Sequence, residues 1–80
     1  MFSENEEKFN TLEEKGNIVY LSVNIRGEFA VSMSSDNFYW YRDMETDKYI
    51  LCFDNSSIDV KPENIKEINI QESEICIEYL

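Results

Sequence analysis

The chain contains no histidine. That single absence excludes a Cys–His nucleophile pair, a Ser–His–Asp triad and histidine-ligated zinc, because each needs an imidazole. Basic residues are scarce as well: seven Lys and Arg stand against seventeen Asp and Glu, a net charge of −10 over 80 residues. Nucleic-acid binders work by exchanging condensed counterions for Lys and Arg contacts, so direct binding to DNA or RNA is disfavoured. Cysteine is limited to Cys52 and Cys76, too few for a disulfide scaffold, and one bridge between them is permitted without being implied. No apolar run approaches the roughly 20 residues of a membrane-spanning helix. Met1-Phe2-Ser3-Glu4 is acidic where a secretory leader would place a basic and then an apolar region. A reduced, cytoplasmic protein with no membrane partner is expected.

What is present is a generous supply of core material. Hydrophobic residues make up 42%, including five Phe, five Tyr and one Trp, which rules out a disordered acidic tail. The length allows a single domain over residues 1–80, with a radius of gyration of about 12 Å. Residues 3–15 read as one helix. Ser3 with Glu6 three positions on fits a capping box, Glu4, Glu6 and Glu7 suit the positive end of the helix dipole, and Gly16 is a good stop. Only Phe9 and Leu12 form an apolar stripe, so this helix has to dock on something to be stable.

From residue 17 to 80 the period is two. Val19, Leu21, Val23 and Ile25 alternate with polar neighbours, and Phe29, Val31 and Met33 continue the alternation beyond a hairpin at Arg26-Gly27. Ser34-Ser35-Asp36-Asn37 is a loop by composition. Strands follow at 38–42, 49–53 and 58–60, separated by an acidic turn over 43–48 and by Asp54-Asn55-Ser56-Ser57. Pro62-Glu63-Asn64 starts a single helical turn, and a closing hairpin runs from about Ile68 to Tyr79. The fold class expected is therefore α+β, mostly β: a short N-terminal helix followed by a strongly bent antiparallel sheet or a small SH3-like or Sm-like barrel of five to seven strands.

Two features carry the functional reading. The first is Phe38-Tyr39-Trp40-Tyr41, where a strand sends Phe38 and Trp40 to one face and Tyr39 and Tyr41 to the other. The inward pair belongs to the core. The outward pair serves either as half-buried cover or as a contact surface, tyrosine being enriched at interface hot spots. The second is the distribution of charge: residues 16–42 are neutral, whereas residues 43–60 carry −4. Asp43, Glu45 and Asp47, with Asp54 and Asp59 further on, form an acidic rim beside the aromatic run, and a set of solvated turns is the plain alternative. The spacing Asp43-x-Glu45-x-Asp47 has the start of a calcium loop, with Asp54 at the twelfth position. Lys48, however, occupies the sixth position, where such a loop needs glycine, so no metal and no cofactor is expected. Cys52 reads as a small apolar residue, and Cys76, between Glu74 and Glu78, sits where negative charge opposes the thiolate.

Two carboxylates could do acid–base work only in a cleft, for which a small barrel that fills its own interior has little room, and an enzyme is not expected. In being small, acidic and free of catalytic motifs, the chain is similar to anti-CRISPR, anti-restriction and nuclease-immunity proteins, a likeness of composition that covers no motif. It implies a non-enzymatic inhibitor that occupies the basic cleft of a nucleic-acid-handling protein, with carboxylates standing in for phosphates. Tyr39, Tyr41, Asp43, Glu45, Asp47, Asp54 and Asp59 are its expected contact residues. The alternative is an SH3-like interaction or self-assembly module. A homodimer through a free sheet edge or the helix face is left open.

Overall fold

A computed structural model of the chain describes residues 2–80, with side chains from residue 4 onward. A helix, α1 (Phe2–Lys15), leads into strands β1 (Val19–Ile25), β2 (Glu28–Ser35), β3 (Phe38–Asp43), β4 (Lys48–Phe53) and β5 (Ser56–Val60). A 3₁₀ turn at Pro62–Asn64 then precedes β6 (Ile65–Gln71) and β7 (Glu74–Tyr79). The helix starts at Phe2, and the proposed Ser3 hydroxyl cap lies outside the described side chains. Gly16, at φ +68°, ends it in the left-handed conformation that glycine adopts without a Cβ penalty.

The strands form two sheets, one of four strands in the order β2-β1-β7-β6 and one of three in the order β3-β4-β5. The chain is mostly β and bends between the sheets at Asp36-Asn37, where the Asn37 N–H donates to Ser35 Oγ at 2.9 Å. The sheets do not close into a barrel. Four of the five strand pairs are antiparallel; β1 and β7 run parallel, with Tyr20 opposite Glu74 and Ile25 opposite Tyr79. A parallel neighbour needs a long crossover, and here the whole three-stranded sheet and β6 lie between the two strands in sequence.

The β1–β2 connection is a two-residue loop in which Arg26 (φ 54°) and Gly27 (φ 82°) both take positive φ. That is the requirement of a type I′ turn, whose twist matches that of the flanking strands. The Gly27 N–H also donates to Glu78 Oε2 of β7 at 2.8 Å, pinning the turn to the neighbouring strand.

The alternation in each strand sends one side chain in two to a single core. Val19, Leu21, Val23, Ile75 and Ile77 come from the larger sheet, Phe38, Tyr49, Leu51, Phe53 and Val60 from the smaller, and Phe9 and Leu12 from α1. Phe9 is fully buried and sits among aromatic rings: its centroid is 5.6 Å from Trp40, 6.2 Å from Tyr49 and 6.4 Å from Phe38. Tilted and edge-on contacts of this kind add to the area they bury. Trp40, assigned by alternation to the core, is only half-buried, because its ring lies at the helix boundary where its indole N–H donates to Asn10 Oδ1 at 2.9 Å. The radius of gyration is 11.7 Å.

Among the described residues no helix is long and apolar enough to cross a membrane.

Candidate functional site

The face of the β3-β4-β5 sheet that points away from the core holds the tyrosine pair. Tyr39 lies opposite Cys52 and Tyr41 opposite Ile50 on β4, and these face Ser57 and Asp59 on β5. Tyr39 and Tyr41 are 45% and 53% exposed, while Ile50 and Cys52 beneath them are each only 6% exposed. The tyrosines therefore do two things at once. Their rings cover an apolar strip of the central strand, and their outer surfaces and hydroxyls face solvent. The Cys52 thiol beside Tyr39 holds that phenol above its ordinary titration range.

The five acidic residues of the expected rim do not stay together. Asp43 projects on the same side of β3 as the tyrosines and is opposite Lys48. Its carboxylate is used locally: Oδ1 accepts the Glu45 N–H at 3.0 Å, and a hydrogen bond from the Thr46 side chain is the main cause of its lowered pKa. Asp59, in the row of Tyr41 and Ile50, accepts from Lys48 Nζ at 2.7 Å. Asp47 goes elsewhere. With φ 52° it turns back to pair with Arg42 at 2.5 Å, and Arg42 projects from β3 opposite to the tyrosines, its guanidinium 5.8 Å from the centre of the Tyr49 ring.

Glu45 and Asp54 are exposed and have no ion-pair or hydrogen-bond partner for their carboxylates among the described residues. Asp54 lines a shallow depression with Tyr39, Tyr41, Cys52, Asn55 and Ser57. The structure thus places Tyr39, Tyr41, Asp54 and Asp59 around one surface, leaves Asp43 at its border as a turn-former, sets Glu45 at the turn tip, and sends Asp47 to the opposite side.

Sequence reasoning missed a second group. Arg42, Asp47, Tyr49 and Glu6 form a chain across the seam between helix and sheet, in which the Tyr49 hydroxyl donates to Glu6 Oε2 at 2.6 Å. Burial is the main reason that the Tyr49 pKa rises to about 12, and the Glu6 carboxylate adds to it. Nothing in the spacing of Glu6 and Tyr49 signals that they meet, since the contact depends on how α1 docks. Chemically, this group fastens the helix.

The cysteines stand apart and unbridged, Cys52 buried and Cys76 exposed on β7. No protein-family model, curated protein or solved structure matches this chain.

Proposed function

We propose that this protein is a small acidic, non-enzymatic inhibitor that binds a basic nucleic-acid-handling protein in the cytoplasm. The contact surface is the outer face of the β3-β4-β5 sheet. The observation that carries the reading is the pairing of exposed Tyr39 and Tyr41 with an acidic border. Two aromatic side chains sit on a rigid, buried strip, and the carboxylates of Asp54 and Asp59 lie beside them, with Glu45 at the adjoining turn. Aromatic anchors on a pre-formed surface supply contact area at little cost in ordering. Carboxylates around them steer a cationic partner and compete for positions that phosphates would fill.

The test begins with an affinity capture from lysate after nuclease digestion, followed by purification of the captured protein and direct binding kinetics. For the clean charge variants Glu45→Gln and Asp54→Asn, association is expected to slow together with a flatter salt dependence, because these carboxylates have no internal partner to release. Tyr39→Ala and Tyr41→Ala are expected to raise the dissociation rate, by about tenfold or more for a hot-spot anchor. A target that is neutral or acidic, or binding indifferent to both salt and the charge variants, refutes the inhibitor reading. Loss of binding in the tyrosine variants alone would instead favour an SH3-like interaction module.

A further inference from the structure

Four strands terminate the two sheets, and three of their outer edges are occupied or spoiled. On β3 the Trp40 N–H is taken by Glu13 Oε1 of α1 at 3.2 Å. β5 has only five residues, and its Asp59 carbonyl accepts the Tyr79 hydroxyl at 2.9 Å. β6 follows Pro62 and carries a register shift between Ile65 and Glu67, with charged Lys66 and Glu67 at that point. A cover, shortness, a bulge and charge are the devices by which sheets refuse foreign strands.

β2 has none of them along most of its length. It is the longest strand, with eight residues, and its single charge is Glu28 at the hairpin end. Its bulge lies near that same end, where Val31 and Phe29 oppose Val23 and Asn24. The ladders fix which backbone groups point outward. Tyr20 N–H donates to Ser73 O at 2.8 Å, so Tyr20 turns its polar groups toward β7. By alternation Ser22 does the same, while Val19, Leu21 and Val23 turn theirs toward β2. Their partners Ser35, Met33 and Val31 are thereby satisfied, and Ser32 and Ser34 point N–H and C=O away from the sheet. The Ser32 and Ser34 side chains are exposed and small, and the inward Val31 and Met33 are only partly buried at the border of the core.

We propose that β2 pairs antiparallel with β2 of a second copy of this chain across a two-fold axis, joining the two four-stranded sheets into one. The register that matches the outward groups places the axis at Met33. Ser32 then exchanges N–H and C=O with Ser34 of the second copy, and the reverse, while Met33 meets Met33 and extends both apolar layers. The symmetry of the edge points to a copy as the occupant, because its outward Ser32 and Ser34 groups complement each other across the axis, and its uncharged run limits the repulsion between like-charged chains. Two chains of −10 can meet only where carboxylates do not oppose each other, and residues 31–35, the part of β2 that pairs with itself about this axis, contain none. An axis at Met33 also leaves Glu28 and Asp36 of each copy beyond the paired segment, with Asp36 at its border. A basic segment is drawn instead to the carboxylate-bearing faces. The contact is isologous and self-limiting, as two-fold pairing requires.

Sedimentation velocity from low-micromolar to near-millimolar protein, at low and high salt, tests this directly. A monomer–dimer equilibrium that tightens with salt is expected, since screening relieves repulsion between like-charged copies. That is the opposite sign to the salt dependence of a basic partner, so the two readings fail separately. Ser32→Pro removes one outward donor per copy and leaves the β1 ladder intact; it is expected to raise the dimer dissociation constant about tenfold or more. Ser34→Lys, which changes no backbone group, is expected to weaken the dimer likewise, with circular dichroism checking the fold of both. In a Cys76→Ser background, Met33→Cys is expected to cross-link on oxidation, because a non-hydrogen-bonded antiparallel pair sets Cα atoms about 4.5 Å apart. A monomer at every concentration and salt, or a dimer that neither edge variant moves, overturns the proposal. So does a foreign strand bound along β2 of a chain that stays monomeric.

Discussion

The hydroxyl of Tyr49 sits where helix, aromatic core and acidic turn meet, and its titration reports on all three. Its ring is buried against Phe9 and Trp40 while its O–H donates to Glu6. With the folded value near 12 against an ordinary value of 10.0, the unfolded chain ionises this phenol before the folded one does. Stability that is complete below pH 10 is therefore lost as pH climbs toward 12, by up to about 2–3 kcal/mol from this residue. Tyr79, raised chiefly by burial, adds in the same direction. Tyr49→Phe is expected to cost about 1–2 kcal/mol near neutral pH through the lost hydrogen bond to a charged acceptor. It is also expected to shrink the alkaline loss, which denaturant unfolding just below pH 10 and near pH 12 would measure. An alkaline loss unchanged by the substitution would place its origin elsewhere.

At the scale of elements, α1 is held by a narrow attachment that nonetheless shields a strand. Phe9 and Leu12 are its buried apolar side chains among those described, and Glu13 and Asn10 reach the backbone and indole of Trp40. Phe9→Ala should cost about 3–5 kcal/mol, the range for emptying a packed aromatic site. A domain of this size has a total stability of roughly 4–12 kcal/mol. Undocking of α1, followed through Trp40 fluorescence during urea unfolding, is the expected consequence, together with a β3 edge opened to pairing. A Phe9→Ala protein as stable as the parent would mean that the polar contacts alone retain the helix.

The elements themselves were legible, and their partners were not. Alternation located most strand ends to within two residues, although β6 starts at Ile65, three residues before the expected closing hairpin, and Arg26-Gly27 located the first hairpin, because both signals are local. β2 extends to Ser35 and β5 begins at Ser56, inside stretches read as loops: Ser34, Ser56 and Ser57 sit on exposed strand faces, where serine is tolerated, and the buried Ser35 uses its Oγ to accept the Asn37 N–H. The parallel union of β1 with β7 left no trace in the sequence, because period-two patterning names a face without naming a neighbour. At the site, the outward tyrosines followed from parity. The departure of Asp47 to Arg42 did not, being decided by a positive-φ turn, and neither did the burial of Ile50 and Cys52 under the tyrosine rings.

Across the whole molecule the dominant long-range force is self-repulsion. A net charge of −10 on a body with a radius of gyration of 11.7 Å places many carboxylates within a few screening lengths, each about 8 Å at physiological salt. Only two ion pairs, Arg42–Asp47 and Lys48–Asp59, oppose it among the described residues. Melting temperature is therefore expected to rise with sodium chloride, by several degrees if about 1 kcal/mol of repulsion is screened. A melting temperature indifferent to salt would show that the carboxylates are too well solvated to oppose folding, and would weaken the case that they project a field toward a partner.

The parallel pairing of β1 with β7 has a consequence for the chain as it is being made. A nascent chain emerges from the ribosome N-terminus first, at about 5–20 residues per second. The β1–β2 hairpin is thus synthesised several seconds before the strand that flanks it on the other side exists. During that interval β1 shows an unpaired ladder, including the Tyr20 amide that Ser73 will later satisfy, and β2 shows its bare edge. The smaller sheet has local partners throughout and can assemble at once. The larger one can be completed only when β7 arrives, so the interval before its arrival is when neighbouring copies on one messenger are best placed to exchange strands.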